Sequence, residues 1–442
     1  MTGIDRRQFL SKTGTAAAFL TAAQYSRVLG ANDRIAVAVV GTGGRGKSHV
    51  RGHAQSSEAD VVAIVDIDQA HAEEGAALAR KFQKVSPKEY QDQREMLEDK
   101  SIDAVSIATP NHWHALSTIW ACQAGKDVYV EKPASHNVFE GRKMVEAARK
   151  YRRIVQVGQQ SRSTPHKING IEQLRNGLIG EVYMAKGLCY KRRKTIGSMS
   201  PSPVPPGIEY DIWLGPARPA DFQENRFHYK WHWNWAYGNG DIGNQGVHQM
   251  DVARWGLGKD ALPEHAVSMG GHYVYDDDQQ TPNTQQAIFD YGDSQLGFEV
   301  RGIHTGGECG LLEKSGGGSN TVGVLFFGSE GYLTMAGNGY WSYLGEKREP
   351  GPSEESPDAQ DTTAMHIANF LAAVKSRKVE DLTCDILEGH ISAAMCHLAN
   401  ISYRTGDKLL FDPENERFHG NPAANEMLTR DYRPPFVVPD EV

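Results

Sequence analysis

Residues 35–40, IAVAVV, are apolar without a break, and polar positions resume only in the glycine-rich GTGGRG that follows. A run without alternation is buried on both faces, as in a parallel sheet. The same form returns in DVVAIVDID at 60–68, DAVSIAT at 103–109, DVYVE at 127–131 and IVQVG at 154–158. Between these runs the apolar positions recur at helical steps, which predicts helices over 70–81, 89–98, 112–124 and 138–150. Strands alternating with helices build right-handed crossover units and a doubly wound parallel sheet. After about residue 160 the rhythm changes. A helix in HKINGIEQLRNGLIG and a strand in EVYMAKGLCYK precede a proline-rich loop, SPSPVPPG at 200–207. Strand candidates near 266–275, 284–290, 295–303 and 322–334 have no helices between them, which indicates antiparallel pairing. KSGGGSN at 314–320 reads as a flexible loop, and no internal repeat is present. Helices at 361–376 and 385–404 close the pattern, and the tail YRPPFVVPDEV reads as an extended arm reaching a neighbouring subunit. The expected divisions are a leader at 1–30, a first domain at 31–158, a second at 159–384 and a terminal helix with its tail at 385–442.

A chain of 442 residues exceeds what one hydrophobic core fills, and 39% hydrophobic residues supply enough material for two. The formal charge of −8 excludes nucleic acid as a partner, because no excess of lysine and arginine exists to neutralise phosphates. YKRRK at 190–194 reads as a solvated edge or loop. The five cysteines form no CxxC pair, so disulfides do not hold this fold together. Near the start, DRRQFLSKTGTAAAFLTAA joins an arginine pair to a short apolar run and then to small residues. That is the shape of a twin-arginine signal, predicting a periplasmic protein exported already folded, with its cofactor inside; the alternative is an amphipathic N-terminal helix of a cytosolic protein. No later segment is apolar enough to span a membrane.

GTGGRG follows its strand at once and opens a predicted helix. Gly41, Gly43 and Gly46 match the spacing of a dinucleotide-binding Rossmann loop, with Gly44 and Arg45 presenting backbone to a pyrophosphate. Asp66, twenty residues beyond Gly46 at the end of the second strand, is placed to accept the adenosine ribose hydroxyls. No arginine follows it directly, so NAD is preferred over NADP. Three polar clusters follow strand ends, where ligands of such sheets bind. They supply Thr109, Asn111 and His114 from ATPNHWH, Glu131 and Lys132 from EKP, and Gln160 and Arg162 from GQQSR.

In GDIGNQGVHQMD, residues 240–251, steps of three and four line up Asp241, Asn244, His248 and Asp251 on one helical stripe, with Ile242, Val247, Met250 and Val252 facing elsewhere. The stripe is either a capped surface helix or one wall of a site. Just before it, HYKWHWNWAYGNGD carries Trp231, Trp233 and Trp235 at period two, which puts their rings on one side of an extended segment, as core packing or as a wall for a sugar ring. Trp213 in DIWLGPA adds to that wall. His228 and His232 stand four apart with no third ligand spaced to join them, so no metal is expected.

GTGGRG, ATPNHWHA, EKPAS and GNQGVHQMD, in this order and at these intervals, resemble the glucose–fructose oxidoreductase, inositol dehydrogenase and MocA superfamily of nicotinamide-dependent enzymes, over nearly the whole chain after the leader. The resemblance implies a Rossmann domain followed by an α/β domain whose open, mainly antiparallel sheet forms one wall of the active site and the interface of a homo-oligomer, a dimer or tetramer. It implies that Lys132 shuttles a proton, often beside a cis Lys–Pro bond, and that His248 contacts the reacting hydroxyl. Asn244 stands where the family pattern usually has aspartate. An amide orients but does not remove a proton, so base duty passes to His248 or Lys132, with Asp241 either the missing carboxylate or a helix cap and Asp251 structural. The expected activity is oxidation of a sugar or polyol with a tightly bound, internally recycled NAD. The alternative is an NAD-dependent glycosidase working by transient ring oxidation, and a third reading is a non-catalytic sugar sensor.

Overall fold

The computed structural model describes residues 34–311, 320–356 and 361–442. The predicted leader lies outside these residues, and so does nearly all of the expected loop at 314–320. Among the described residues no helix is long and apolar enough to cross a membrane.

The unbroken apolar runs become a six-stranded sheet in the order β3-β2-β1-β4-β5-β6, parallel throughout. Its strands are β1 (Ile35–Val40), β2 (Ala59–Val65), β3 (Lys88–Tyr90), β4 (Ala104–Ile107), β5 (Asp127–Val130) and β6 (Val155–Val157). This is the strand order of a dinucleotide-binding Rossmann sheet. The helix predicted over 89–98 is instead the edge strand β3 followed by a short helix, Gln93–Leu97.

The second unit is a ten-stranded sheet, β14-β13-β12-β11-β7-β10-β9-β8-β15-β16, antiparallel except where β7 and β10 pair. Its strands are β7 (Val182–Tyr190), β8 (His265–Gly271), β9 (Thr284–Asp290), β10 (Gln295–Arg301), β11 (Thr321–Gly328), β12 (Gly331–Met335), β13 (Gly339–Leu344), β14 (Glu349–Glu355), β15 (Leu409–Asp412) and β16 (Arg417–Phe418). The single candidate at 322–334 is thus a hairpin of two strands. One face of the sheet is covered by helices Pro165–Arg175, Val247–Gly256 and Ile386–Thr405, whose apolar residues share a core with Phe289, Phe298 and Phe326. The other face leaves Met269 76% exposed, Tyr183 53% and Ile288 43%.

Two terminal segments tie the units together. Helix Thr362–Ser376 packs Ile367, Phe370, Leu371 and Val374 against the Rossmann core. Helix Ile386–Thr405 contributes Ile391, Met395 and Leu398 to the core of the large sheet, and Ile386 and Ala393 to that of the Rossmann unit. The tail is not an arm to a neighbour: Phe436 packs edge-on to Trp113, and Val438 and Val442 are buried in the Rossmann core of their own chain.

Arg162, expected at the substrate, is instead part of this framework. It is 7% exposed, grips both oxygens of Asp251 at 2.9–3.1 Å and donates to Glu388 at 2.9 Å. Arg254 joins it at Glu388, 2.6 Å away, and the Ser392 hydroxyl donates to Asp251. Burial alone would raise the Asp251 carboxyl, but the Arg162 guanidinium outweighs it and holds the pKa below its ordinary value. The cluster joins the loop after β6, helix Val247–Gly256 and helix Ile386–Thr405. Removing Arg162 leaves the buried Asp251 carboxylate with only the Ser392 hydroxyl and the more distant Arg254, so Arg162→Met is expected to lower stability by about 3–5 kcal/mol, read from the urea midpoint at neutral pH.

Candidate active site

The carboxyl ends of β1, β2, β4 and β5 open into a cleft of about 550 Å³. Gly41, Gly43, Gly44 and Arg45 line one side, and Asp66, Thr109, Asn111, His114, Glu131 and Lys132 line others. The glycines fit a bound pyrophosphate. Gly41 sits at φ +84°, and a β-carbon on Gly46 would stand 1.7 Å from the Gly41 carbonyl, so the turn into helix Gly46–Gln55 closes only on glycine. A β-carbon on Gly44 would meet nothing within 4 Å. The loop ahead of the helix thus leaves room beside Gly44, which suits an anion near the helix start. The buried Thr109 hydroxyl has no partner among the described residues and lies in the cleft lining. Asp66 takes amide hydrogens from Thr42 at 2.6 Å and Asp68 at 3.0 Å, which fixes its carboxylate at the end of β2. These features fit a dinucleotide.

Glu131 organises the next layer. Its side chain is buried, and Oε1 receives Arg45 at 2.8 Å, His49 at 3.0 Å and Gln160 at 3.2 Å, while Oε2 receives the Lys132 amide. Burial would raise its pKa, but Arg45 and His49 hold it well below the usual carboxylate range. Gln160 therefore positions Glu131, also donating to the Tyr129 hydroxyl, and does not line the cleft. His114 lies between the Pro133 and Thr109 carbonyls at 2.7 and 2.8 Å, bracing two strand-end loops, and Asn111 donates to Asn239 at 3.0 Å.

Lys132 leaves the end of β5 on a cis Lys132–Pro133 bond, and its ammonium donates to the Asn244 carbonyl at 2.7 Å. Burial lowers its pKa; Glu131 opposes that shift, and the charges of Arg45, Lys191 and Arg193 add to it. Asn244 lines the cleft as well. Its backbone belongs to a π-helical turn, Ile242–Gly246, that leads into helix Val247–Gly256. The wider turn breaks the regular stripe expected from the spacing. Close packing holds it: a β-carbon on Gly246 would stand 2.4 Å from the Phe298 ring.

His248, in the first turn of that helix, directs Nδ1 at the Gln159 Oε1, 2.8 Å away. The amide oxygen accepts, so Nδ1 carries the hydrogen and Nε2 keeps a lone pair. Burial and the Lys132 charge push its pKa down to about 3. Neutral His248 can accept a hydrogen bond at Nε2, and burial leaves Lys132 readier to give up its proton than a free lysine. Asp241 is not in the site: it is buried, and both oxygens are taken by the Arg193 guanidinium at 2.5–3.1 Å. It makes no cap either. Arg193, within the presumed solvated run YKRRK, is only 11% exposed at its side chain.

The tryptophans do not form one wall. Residues 228–233 are a 3₁₀ helix, so period-two spacing scatters their rings. Trp231 lines the cleft, stacked on His232 at 3.6 Å. Trp233 is buried against Tyr229 and Arg193, and Trp235 pairs with Arg404. Trp213 is 4% exposed, stacked on Tyr210 in an aromatic cluster whose edge borders the cleft. Sequence reasoning passed over Gln159 in favour of Gln160; only the local backbone decides which of two adjacent glutamines turns toward His248.

Residues 35–159 match the oxidoreductase family's NAD-binding Rossmann fold, and residues 180–294 and 353–438 match its C-terminal alpha/beta domain. Inositol 2-dehydrogenase of Rubrobacter xylanophilus is 32% identical over 160 residues, 36% of this chain and 44% of that protein. The rhizopine catabolism protein MocA of Rhizobium meliloti is 27% identical over 227 residues, 51% of this chain and 58% of that protein. The chain thus spans about half the length of these curated relatives. Levoglucosan dehydrogenase, solved with NADH and levoglucosan, superposes with a TM-score of 0.65 at 17% identity, covering 85% of this chain and 99% of that one. The aldose–aldose oxidoreductase of Caulobacter crescentus, complexed with glycerol, gives 0.64 at 15% identity, covering 86% and 100%. At such identity the likeness concerns the fold alone. With both of its domains matched, the chain belongs to the glucose–fructose oxidoreductase, inositol dehydrogenase and MocA family of oxidoreductases.

Proposed function

We propose that this chain is an NAD-dependent oxidoreductase of sugars or polyols that keeps its cofactor bound and recycles it in place. The observation that carries the reading is Lys132 at the end of β5, held by the Asn244 carbonyl and drawn below its ordinary pKa, with a neutral His248 of the second domain near enough to feel its charge. When bound, the nicotinamide supplies the hydride acceptor. Gly43, Gly44 and Arg45 hold the pyrophosphate, Asp66 the adenosine ribose, and the Thr109 hydroxyl a further polar group. Asp66 and Asp68 stand together without an arginine at that end, which favours NAD over a cofactor with a 2′-phosphate.

In this reading Lys132, deprotonated, takes the substrate hydroxyl proton, His248 accepts a hydrogen bond that orients the same hydroxyl, and the Asn244 amide fixes a second one. Trp231 supplies an apolar face for the ring. A strap supports retention: the Gln69 amide donates to Gly207 at 3.1 Å, Gln91 to the same carbonyl at 3.0 Å, and the Glu209 amide to Ile67 at 2.9 Å, closing the chain over the end of β2. Periplasmic export by a twin-arginine leader accords with a cofactor that does not exchange. The exposed apolar face at Met269, Ile288 and Tyr183 supports a homo-oligomer built on the large sheet.

Protein purified without added NAD is expected to release nicotinamide absorbance on denaturation and to oxidise a free sugar only when a second carbonyl compound is present as acceptor. Release of the aryl group from aryl glycosides would replace this reading with hydrolysis by transient ring oxidation, and neither activity, with no cofactor, would sink both. Lys132→Met is expected to lower kcat by about 10²–10⁴-fold. In the unaltered protein kcat/KM rises with pH through a pKa below 10.5, because the deprotonated lysine is the active form; Lys132→Met loses that limb, whereas His248→Ala retains it at lower rate. Ile288→Asp with Met269→Asp is expected to reduce the sedimenting mass to that of a smaller assembly without altering the circular dichroism spectrum.

A further inference from the structure

At the adenosine end of the cleft three side chains converge that the proposed chemistry does not use. Asp68 caps helix Gln69–Ala79 through Oδ1, which accepts the Ala70 amide at 3.0 Å. Oδ2 is left to face His71 Nδ1 at 3.8 Å and His228 Nε2 at 3.6 Å. All three ligand atoms lie within 4.8 Å of one another, and the two rings stand 4.7 Å apart. Separations of 3.6 and 3.8 Å are too long for hydrogen bonds. They are near the edge of a tetrahedron around an ion bonded at zinc distances, about 3.3–3.5 Å.

The chemistry agrees with the spacing. Two imidazoles and a carboxylate form a borderline-soft donor set suited to zinc-class ions, and poorly suited to calcium or magnesium, which take oxygen ligands. Asp66 Oδ1 lies 3.9 Å from His71 Nδ1, so a second carboxylate stands beside the His71 ring. The pairing read from sequence, His228 with His232, does not form: His232 Nδ1 is engaged by the Tyr229 carbonyl at 2.6 Å, and Trp231 stacks on its ring. The third ligand invisible to spacing comes from 160 residues earlier.

We infer that Asp68, His71 and His228 bind one zinc-class divalent ion that clasps the second domain to the Rossmann domain across the mouth of the cofactor cleft. Asp68 and His71 belong to the start of helix Gln69–Ala79, and His228 to the 3₁₀ segment carrying Trp231. His71 also packs against Gly43, where a β-carbon would stand 2.8 Å from its ring. A filled site would therefore fasten the 3₁₀ segment to the helix start that packs on the glycine loop, with water completing the coordination shell. This deepens the retained-cofactor reading and rests on it only for its consequence, slow cofactor exchange. The ion itself is independent of that reading.

Metal-stripped full-length protein titrated with Co²⁺ as the probe, then back-titrated with Zn²⁺, is expected to bind one equivalent with tetrahedral visible absorption that zinc abolishes. His228→Ala and Asp68→Asn are expected to weaken Zn²⁺ by more than the roughly 10–100-fold that loss of an outer-layer partner costs. Circular dichroism reports whether each variant is folded, and His232→Ala, expected to bind cobalt unchanged, controls for general damage to the segment. No cobalt spectrum, or zinc affinity undiminished in folded His228→Ala, overturns the site. The clasp is read separately as faster NADH release, followed by fluorescence, after chelation or in His228→Ala. Release unchanged by the ion overturns the clasp, and a protein that binds cobalt but holds no nicotinamide overturns the retained-cofactor reading instead.

Discussion

A carboxylate buried at the end of a parallel strand has to be compensated by its surroundings, and the compensation of Glu131 sets the geometry of this site. Three side chains and one amide converge on its two oxygens. Each comes from a different place: Arg45 from the glycine loop, His49 one turn along the first helix, Gln160 from beyond β6, and the amide from Lys132 itself. A charge of this kind costs several kcal/mol to bury unless paired and fully hydrogen-bonded, so these elements are held in mutual register. The glycine loop and Lys132 are thereby positioned by one group. The same carboxylate opposes the desolvation of Lys132, limiting how far its pKa falls.

The second domain meets that arrangement through a single irregular turn. In a regular helix Asp241, Asn244 and His248 would stack above one another. The π-helical turn at Ile242–Gly246 separates their fates: Asp241 points back to Arg193, the Asn244 carbonyl turns to the Lys132 ammonium, and His248 meets Gln159. The Asn244 carbonyl accepts from the Lys132 ammonium at 2.7 Å, and so it aims the lysine. The close approach of Gly246 to Phe298 anchors the turn on the sheet, so the irregularity is set by packing and not by a loose segment.

Much of this was legible in sequence, for a physical reason that also marks where legibility stops. Strands buried on both faces write an unbroken apolar run, and a glycine loop that a β-carbon would block writes its own spacing, so β1, β2, β4, β5 and the Asp66 position were readable. The edge strand β3, KEY, is too short and too polar to differ from a helix start. The turn Gly328–Gly331 is tight enough that β11 and β12 read as one strand. Arg162 and Asp251 are 89 positions apart, and no local pattern tells an arginine held in a buried ion pair from one that meets a substrate. The tryptophan period was correctly counted and wrongly interpreted, because a 3₁₀ helix and a strand give the same spacing different faces.

Asn244 then takes on a meaning its spacing alone does not convey. A carboxylate at that position, as the family resemblance would place it, stands beside Lys132 and stabilises the ammonium, raising the lysine pKa. The amide removes that charge while its backbone carbonyl still holds Nζ. The remaining influences on Lys132 besides Glu131 are burial and the positive charges of Arg45, Lys191 and Arg193, all of which favour the neutral amine. His248 is pressed the same way, so the pair is deterred from carrying two protons at once. Asparagine in place of aspartate therefore leaves Lys132 with one fewer charge holding its proton, beside a His248 that stays neutral and able to accept a hydrogen bond.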